Sequence, residues 1–172
     1  MNSGGAEEEI RETVKEFGTV LNIGAGTVCC VADVEKALNA GATFIVTPIV
    51  DAEVIQACRQ RSIPIFTGAY TPTEIYTAVH AGSDAVKLFP SSSMTSEFIK
   101  DLLGPFPGIK LVPTGGVDIN NAVSFLKAGA AGVGMGSKLF NTEYIKMKNF
   151  KALSAHFKMI VERIASHGEK DI

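Results

Sequence analysis

The 172-residue chain has no tryptophan, three histidines and three cysteines, and each scarcity removes a class of chemistry. Cys29, Cys30 and Cys58 are an odd set without Cys-x-x-Cys spacing, so reduced thiols in a cytosol-like compartment are expected, and with them a cytoplasmic location. His80, His156 and His167 stand far apart on helical segments, which argues against a metal centre; neither metal nor cofactor is expected. Excess charge is also lacking. The formal net charge is -2 and the Lys and Arg residues are scattered, so nothing predicts a nucleic-acid partner. No apolar run approaches the roughly 20 residues of a bilayer span, and the N-terminus has no signal-peptide pattern. No membrane association is expected.

What the sequence does have is a recurring unit. A helical stretch ends in a small-residue turn, a short apolar strand follows, and the strand closes on small, polar or proline residues. Asn39-Ala40-Gly41 leads into TFIVTP, His80-Ala81-Gly82 into DAVKLFP, and Lys127-Ala128-Gly129 into AAGVGMGS. VLNIGAGT (20–27), SIPIFTGA (62–69) and GIKLVPTGG (108–116) vary the turn and keep the strand. Glycine just past a helix end takes the left-handed conformation at little cost. Between the strands, helical periodicity predicts helices near 31–40, 52–61, 73–81, 96–103 and 119–128, with Asp51, Thr71, Thr95 and Asp118 as N-caps.

Apolar strands alternating with helices predict a parallel α/β sheet. No strand is followed by Gly-x-Gly-x-x-Gly, which excludes the usual dinucleotide-binding turn. The expected fold is a single-domain, parallel (β/α) TIM-type barrel over 1–172, with six strands present where a closed barrel has eight. The stretch 144–168 is predicted as one amphipathic C-terminal helix, with Phe150, Leu153, Phe157, Ile160 and Ile164 on one face.

Barrel function sits at the C-terminal strand ends. Here these read GAGT, TP, TGAY, KLFP, PTGG and GMGS. PTGG and GMGS fall where barrels often bind phosphate, and a glycine pair with Ser137 offers donors to a phosphate or carboxylate. Within AVKLFPS, Lys87 interrupts an apolar run. Either the strand is short and the amine reaches solvent, or the amine is kept neutral as a nucleophile that attacks a ketone. Lys110 stands at the same distance before a proline and is a rival, lower in its strand.

GAGTV (24–28), the proline of VTP (48), VKLFP (86–90), PTGG (113–116) and GMGS (134–137) together resemble the 2-keto-3-deoxy-6-phosphogluconate (KDPG) and 4-hydroxy-2-oxoglutarate (KHG) aldolase family. The resemblance runs over roughly residues 1 to 140. It implies a class I aldolase, usually trimeric, that cleaves a 2-keto acid to pyruvate and an aldehyde. Carried over position by position, it implies Lys87 as the Schiff-base lysine, ahead of Lys110. It implies that Thr27, Pro48, Phe89 and Thr114 line the pyruvate site. Gly115 and Gly116 match backbone donors, and Ser137 matches a residue near the substrate phosphate. The expected partners are a small 2-keto acid or sugar-acid phosphate and further copies of the chain, a homotrimer being favoured.

The family's general base is a glutamate in a Glu-Val-Thr stretch on the second barrel strand, followed four residues on by arginine. Met1-Asn2-Ser3 aligns just after that stretch, with Asn2 at the arginine position. The resemblance thus implies a barrel without its first strand, first helix and most of its second strand. Glu7, Glu8 and Glu9 read as the first turn of a solvated helix, and Asp51 as an N-cap. Two functions stay open on the sequence: an aldolase, or a catalytically weakened or silent barrel acting as a binding or structural subunit. An isomerase or epimerase would give Lys87 no clear task.

Overall fold

The computed structural model describes residues 1–168. The chain divides into two compact units, Met1–Phe89 and Pro90–Ile172.

In the first unit, helices α1 (Ala6–Phe17), α2 (Val31–Asn39), α3 (Ala52–Gln60) and α4 (Pro72–Ala81) alternate with strands β1 (Gly24–Gly26), β2 (Phe44–Val46), β3 (Ile65–Ala69) and β4 (Ala85–Leu88). The strands run parallel in the order β1-β2-β3-β4. Because alternate residues point to opposite sides of a strand, the register sorts the sheet into two faces. Ala25, Ile45 and Ile65 are buried against Val34, Ala37, Val54, Ile55 and Cys58 of the helices. The opposite face carries Phe44, Val46, Phe66, Gly68 and Lys87, and the rings of Phe44 and Phe66 meet edge to face at 5.7 Å.

Local chemistry fixes where the helices start. The Asp51 carboxylate accepts the Val54 N–H at 2.9 Å and caps α3. Thr71 and Glu74 form a reciprocal capping box at the start of α4, with Pro72 in the first turn. Gly82 ends α4 at φ 100°, and a Cβ there would collide with the Arg59 side chain. Helix α1 opens on Glu7, Glu8 and Glu9 and buries no residue, as expected of a solvated helix.

The second unit contains a 3-10 turn (Ser91–Ser93), α5 (Ser96–Leu103), β5 (Leu111–Pro113), α6 (Ala122–Lys127), α7 (Thr142–Lys146) and α8 (Phe150–Gly168). Its core includes Ile99, Leu102, Leu111, Val117, Ala122, Phe125 and Ile160. Three elements differ from the sequence reading. The strand expected in AAGVGMGS is reduced to one parallel bridge, Thr114 with Gly134, because three glycines give a strand little to pack. Helix α6 begins at Ala122 rather than 119, since the Asp118 carboxylate accepts the N–H groups of Asn120 (2.8 Å) and Asn121 (3.2 Å) and holds a turn there. The single helix expected over 144–168 is broken: Lys148 adopts φ 52°, and the Asn149 side chain caps the next segment by accepting from Ala152 N–H at 3.0 Å. Phe150, expected on the apolar face of that helix, is 67% exposed at the break. Thr95 precedes α5 without a side-chain cap bond. No helix among the described residues is long and apolar enough to cross a membrane.

Candidate active site

Thr27, Pro48, Lys87 and Phe89 lie in the first unit, at or just past the C-terminal ends of β1, β2 and β4. Parallel pairing puts those ends along the same edge of the sheet. Lys87 occupies the face opposite the helix-packed core, while its neighbours Val86 and Leu88 are fully buried on the other face. This explains how a lysine sits in an apolar strand: only one side of β4 is committed to the core. The side chain is half-buried, and among the described residues no carboxylate forms an ion pair with it. Its Nζ lies 4.3 Å from the centroid of the Phe89 ring. Burial holds the Lys87 ammonium below the usual lysine range. The ring face favours the cation and burial the neutral amine; the net direction is that of burial. Lys110, by contrast, is exposed and lies just outside β5.

Next to Lys87 the sheet is unusually tight. Gly68 is its register partner on β3. A Cβ at Gly68 would lie 2.4 Å from the Pro48 carbonyl carbon, so Pro48 is packed directly over the glycine. Thr27 holds φ 56°, a left-handed backbone that is costly for a β-branched residue. A cavity of about 320 Å³ is lined by residues including Gly24, Gly26, Thr27 and Glu9 of α1. Of the remaining early carboxylates, Glu8 pairs with Arg11.

In the second unit, Thr114, Gly115 and Gly116 follow β5, and the exposed Ser137 follows the Gly134 bridge. Gly115 and Gly116 have φ 84° and 86°, and a Cβ on Gly116 would lie 2.6 Å from Ser92 Cα. Only glycine fits that turn. Ser91, 2% exposed, pins it: its N–H donates to Thr114 O and its Oγ accepts from Thr114 N–H, each at 2.9 Å. Thr47, Gly68 and Ser91 are supports that sequence reasoning missed. Thr47 and Gly68 stand inside quoted strand-end runs and Ser91 just after one, but only the folded structure reveals the side-chain bond at the first, the close approach at the second and the paired bonds at the third. No group of three or more His, Cys, Asp or Glu that could hold a metal is found among the described residues.

The model of the family described as KDPG and KHG aldolase matches residues 1–156. The chain belongs to that family. A 2-dehydro-3-deoxy-6-phosphogalactonate aldolase of Escherichia coli K12 is 37% identical over 141 residues, which cover 81% of this chain and 69% of that protein. A 2-dehydro-3-deoxy-phosphogluconate aldolase of Haemophilus influenzae is 36% identical over 105 residues, 60% of this chain and 50% of its own length. The chain thus spans between half and about two thirds of the length of these aldolase relatives. Among solved structures, a native KDPGal structure superposes with a TM-score of 0.83 at 30% identity, covering 98% of this chain and 79% of that one. A KDPG aldolase from Legionella pneumophila, with pyruvate captured as a covalent carbinolamine, gives 0.79 at 26% identity over 96% of this chain and 77% of its own. Such likeness places this member of the aldolase family in the parallel (β/α) TIM-type barrel class.

Proposed function

We propose that the chain is a class I aldolase that cleaves a 2-keto-3-deoxy or 4-hydroxy-2-keto acid to pyruvate and an aldehyde. The observation that carries this reading is Lys87: a half-buried amine at a strand end, without a carboxylate partner and shifted by burial toward its neutral form. Neutral Nζ attacks the C2 ketone, giving a carbinolamine that loses water to an iminium. The C4 hydroxyl gives up its proton, the C3–C4 bonding pair moves toward the iminium, and the aldehyde departs. The enamine left behind takes a proton at C3, and water releases pyruvate and the free lysine.

Thr27, Pro48, Phe89 and Thr114 are assigned to the pyruvate site. Gly115, Gly116 and Ser137 are assigned to an anionic substrate group. Support for the latter is the glycine turn itself: no bond from the Gly115 or Gly116 N–H occurs among the described residues, which leaves both donors for a ligand. A single barrel domain, a homo-oligomer with a trimer favoured, and a cytoplasmic location complete the proposal.

The test is pyruvate release from 2-keto-3-deoxy-6-phosphogluconate, its galactonate epimer and 4-hydroxy-2-oxoglutarate, read by a lactate dehydrogenase couple. Release that K87M abolishes supports the reading. Release that K87M leaves intact overturns it. A folded chain silent on all three that still forms a pyruvate adduct would be the silent subunit, with nucleophile kept and proton transfer lost.

A further inference from the structure

The hydroxyl of Thr47 takes a place in the sheet that belongs to a main-chain carbonyl. Thr47 N–H donates to Phe66 O at 3.0 Å, the last regular rung between β2 and β3. In a parallel ladder the next rung would run from Gly68 N–H to the Thr47 carbonyl. Instead Gly68 N–H donates to Thr47 Oγ1 at 3.1 Å, and that hydroxyl donates onward to Ile49 O at 2.6 Å. Released from the ladder, the main chain folds over the glycine: a Cβ on Gly68 would stand 2.7 Å from Thr47 O and 2.5 Å from Pro48 O. Gly68 faces Lys87 across the β3–β4 pair. Thr47 is 1% exposed and its bond to Gly68 is buried, so bulk water cannot replace the hydroxyl.

We propose that Thr47 is a positioning residue for Lys87: by standing in for the lost ladder carbonyl, its hydroxyl holds Pro48 over Gly68 as the wall beside the reactive amine. The catalytic consequence rests on the aldolase reading given above. Valine has the shape of threonine without the hydroxyl, and would leave the buried Gly68 N–H unpaired, while the part-buried Ile49 O would lose its donor. The turn then opens to recover partners, and water reaches the amine. Serine keeps both the donor and the acceptor.

The test compares wild type, T47V and T47S by thermal melting, by pyruvate and borohydride trapping on Lys87, and by competitive acetylation of Lys87 across pH. T47V should raise half-saturating pyruvate by about tenfold and move the Lys87 acetylation midpoint up toward the ordinary lysine value. T47S should stay within about twofold of wild type and keep its midpoint. T47A, which also removes the hydroxyl and carries the same expectation, replaces T47V if the latter does not fold. A threonine that only stabilises the sheet would lower the melting temperature and leave trapping and midpoint where they were, and that result overturns the proposal. Should wild type trap no pyruvate, the aldolase reading falls separately. The acetylation midpoint then decides alone: a shift in T47V keeps Thr47 as the amine's positioner, and an unmoved midpoint removes it.

Discussion

Gly68→Ala places a single methyl at the tightest point beside Lys87. The added Cβ would sit 2.4 Å from the Pro48 carbonyl carbon, where ordinary contact begins near 3.4 Å, so something must yield by about 1 Å. Both sides are backbone, and neither can rotate away. Overpacking of this kind costs about 1–3 kcal/mol, which an ordinary domain stability of about 5–15 kcal/mol can absorb. G68A should therefore fold, with the cost visible as a lower urea midpoint at unchanged slope. The same 1 Å retreat moves Pro48 from beside Lys87, and displacements of that size cost about a hundredfold in rate. Pyruvate-dependent borohydride trapping should accordingly slow by about two orders of magnitude, far beyond what the stability loss explains. A G68A protein that melts near wild type and traps pyruvate at the wild-type rate would refute the argument that the Pro48–Gly68 contact organises the site.

Other outcomes follow from the same structure. Thr67 is fully buried and its Oγ1 has no hydrogen-bond partner among the described residues, so T67V should stabilise the chain by about 1 kcal/mol in denaturant titration. Burial lowers the Lys87 pKa in the folded state, so the folded chain binds fewer protons than the unfolded one between that value and the ordinary one near 10.4. Stability should rise with pH across this window, and K87M should abolish the rise in melts measured from neutral to alkaline pH. The Glu74 carboxylate is held below the usual range first by Thr71 N–H and then by Tyr70 N–H, so its stabilisation is present above the unfolded value and lost as pH falls through the folded one. E74Q should flatten that acid limb, and T71A should cost about 1 kcal/mol.

Much of the fold was legible because the βα units repeat one punctuation with small variations: a turn after the helix, most often at glycine, an apolar run, a proline or small residue at the strand end. Side-chain oxygens ahead of a helical pattern read correctly as caps at Asp51 and Thr71, whereas Thr95 makes no cap bond and Asp118 holds a turn before the helix instead. The failures have two causes. Glycines thinned the AAGVGMGS strand to a bridge, and the side chains of Asp118 and Asn149 captured backbone donors that a periodicity count assigns to continuous helix. Lys87 stood out because a charge inside an apolar run demands an explanation. Thr47 did not, since a threonine at a strand end looks ordinary until its hydroxyl is seen replacing a carbonyl.

The most direct measurement is mass spectrometry of the protein treated with pyruvate and borohydride. A reduced pyruvate adduct on the peptide containing Lys87, absent from K87M, is the predicted result. A folded protein that carries no adduct, or carries it on Lys110, would contradict the account.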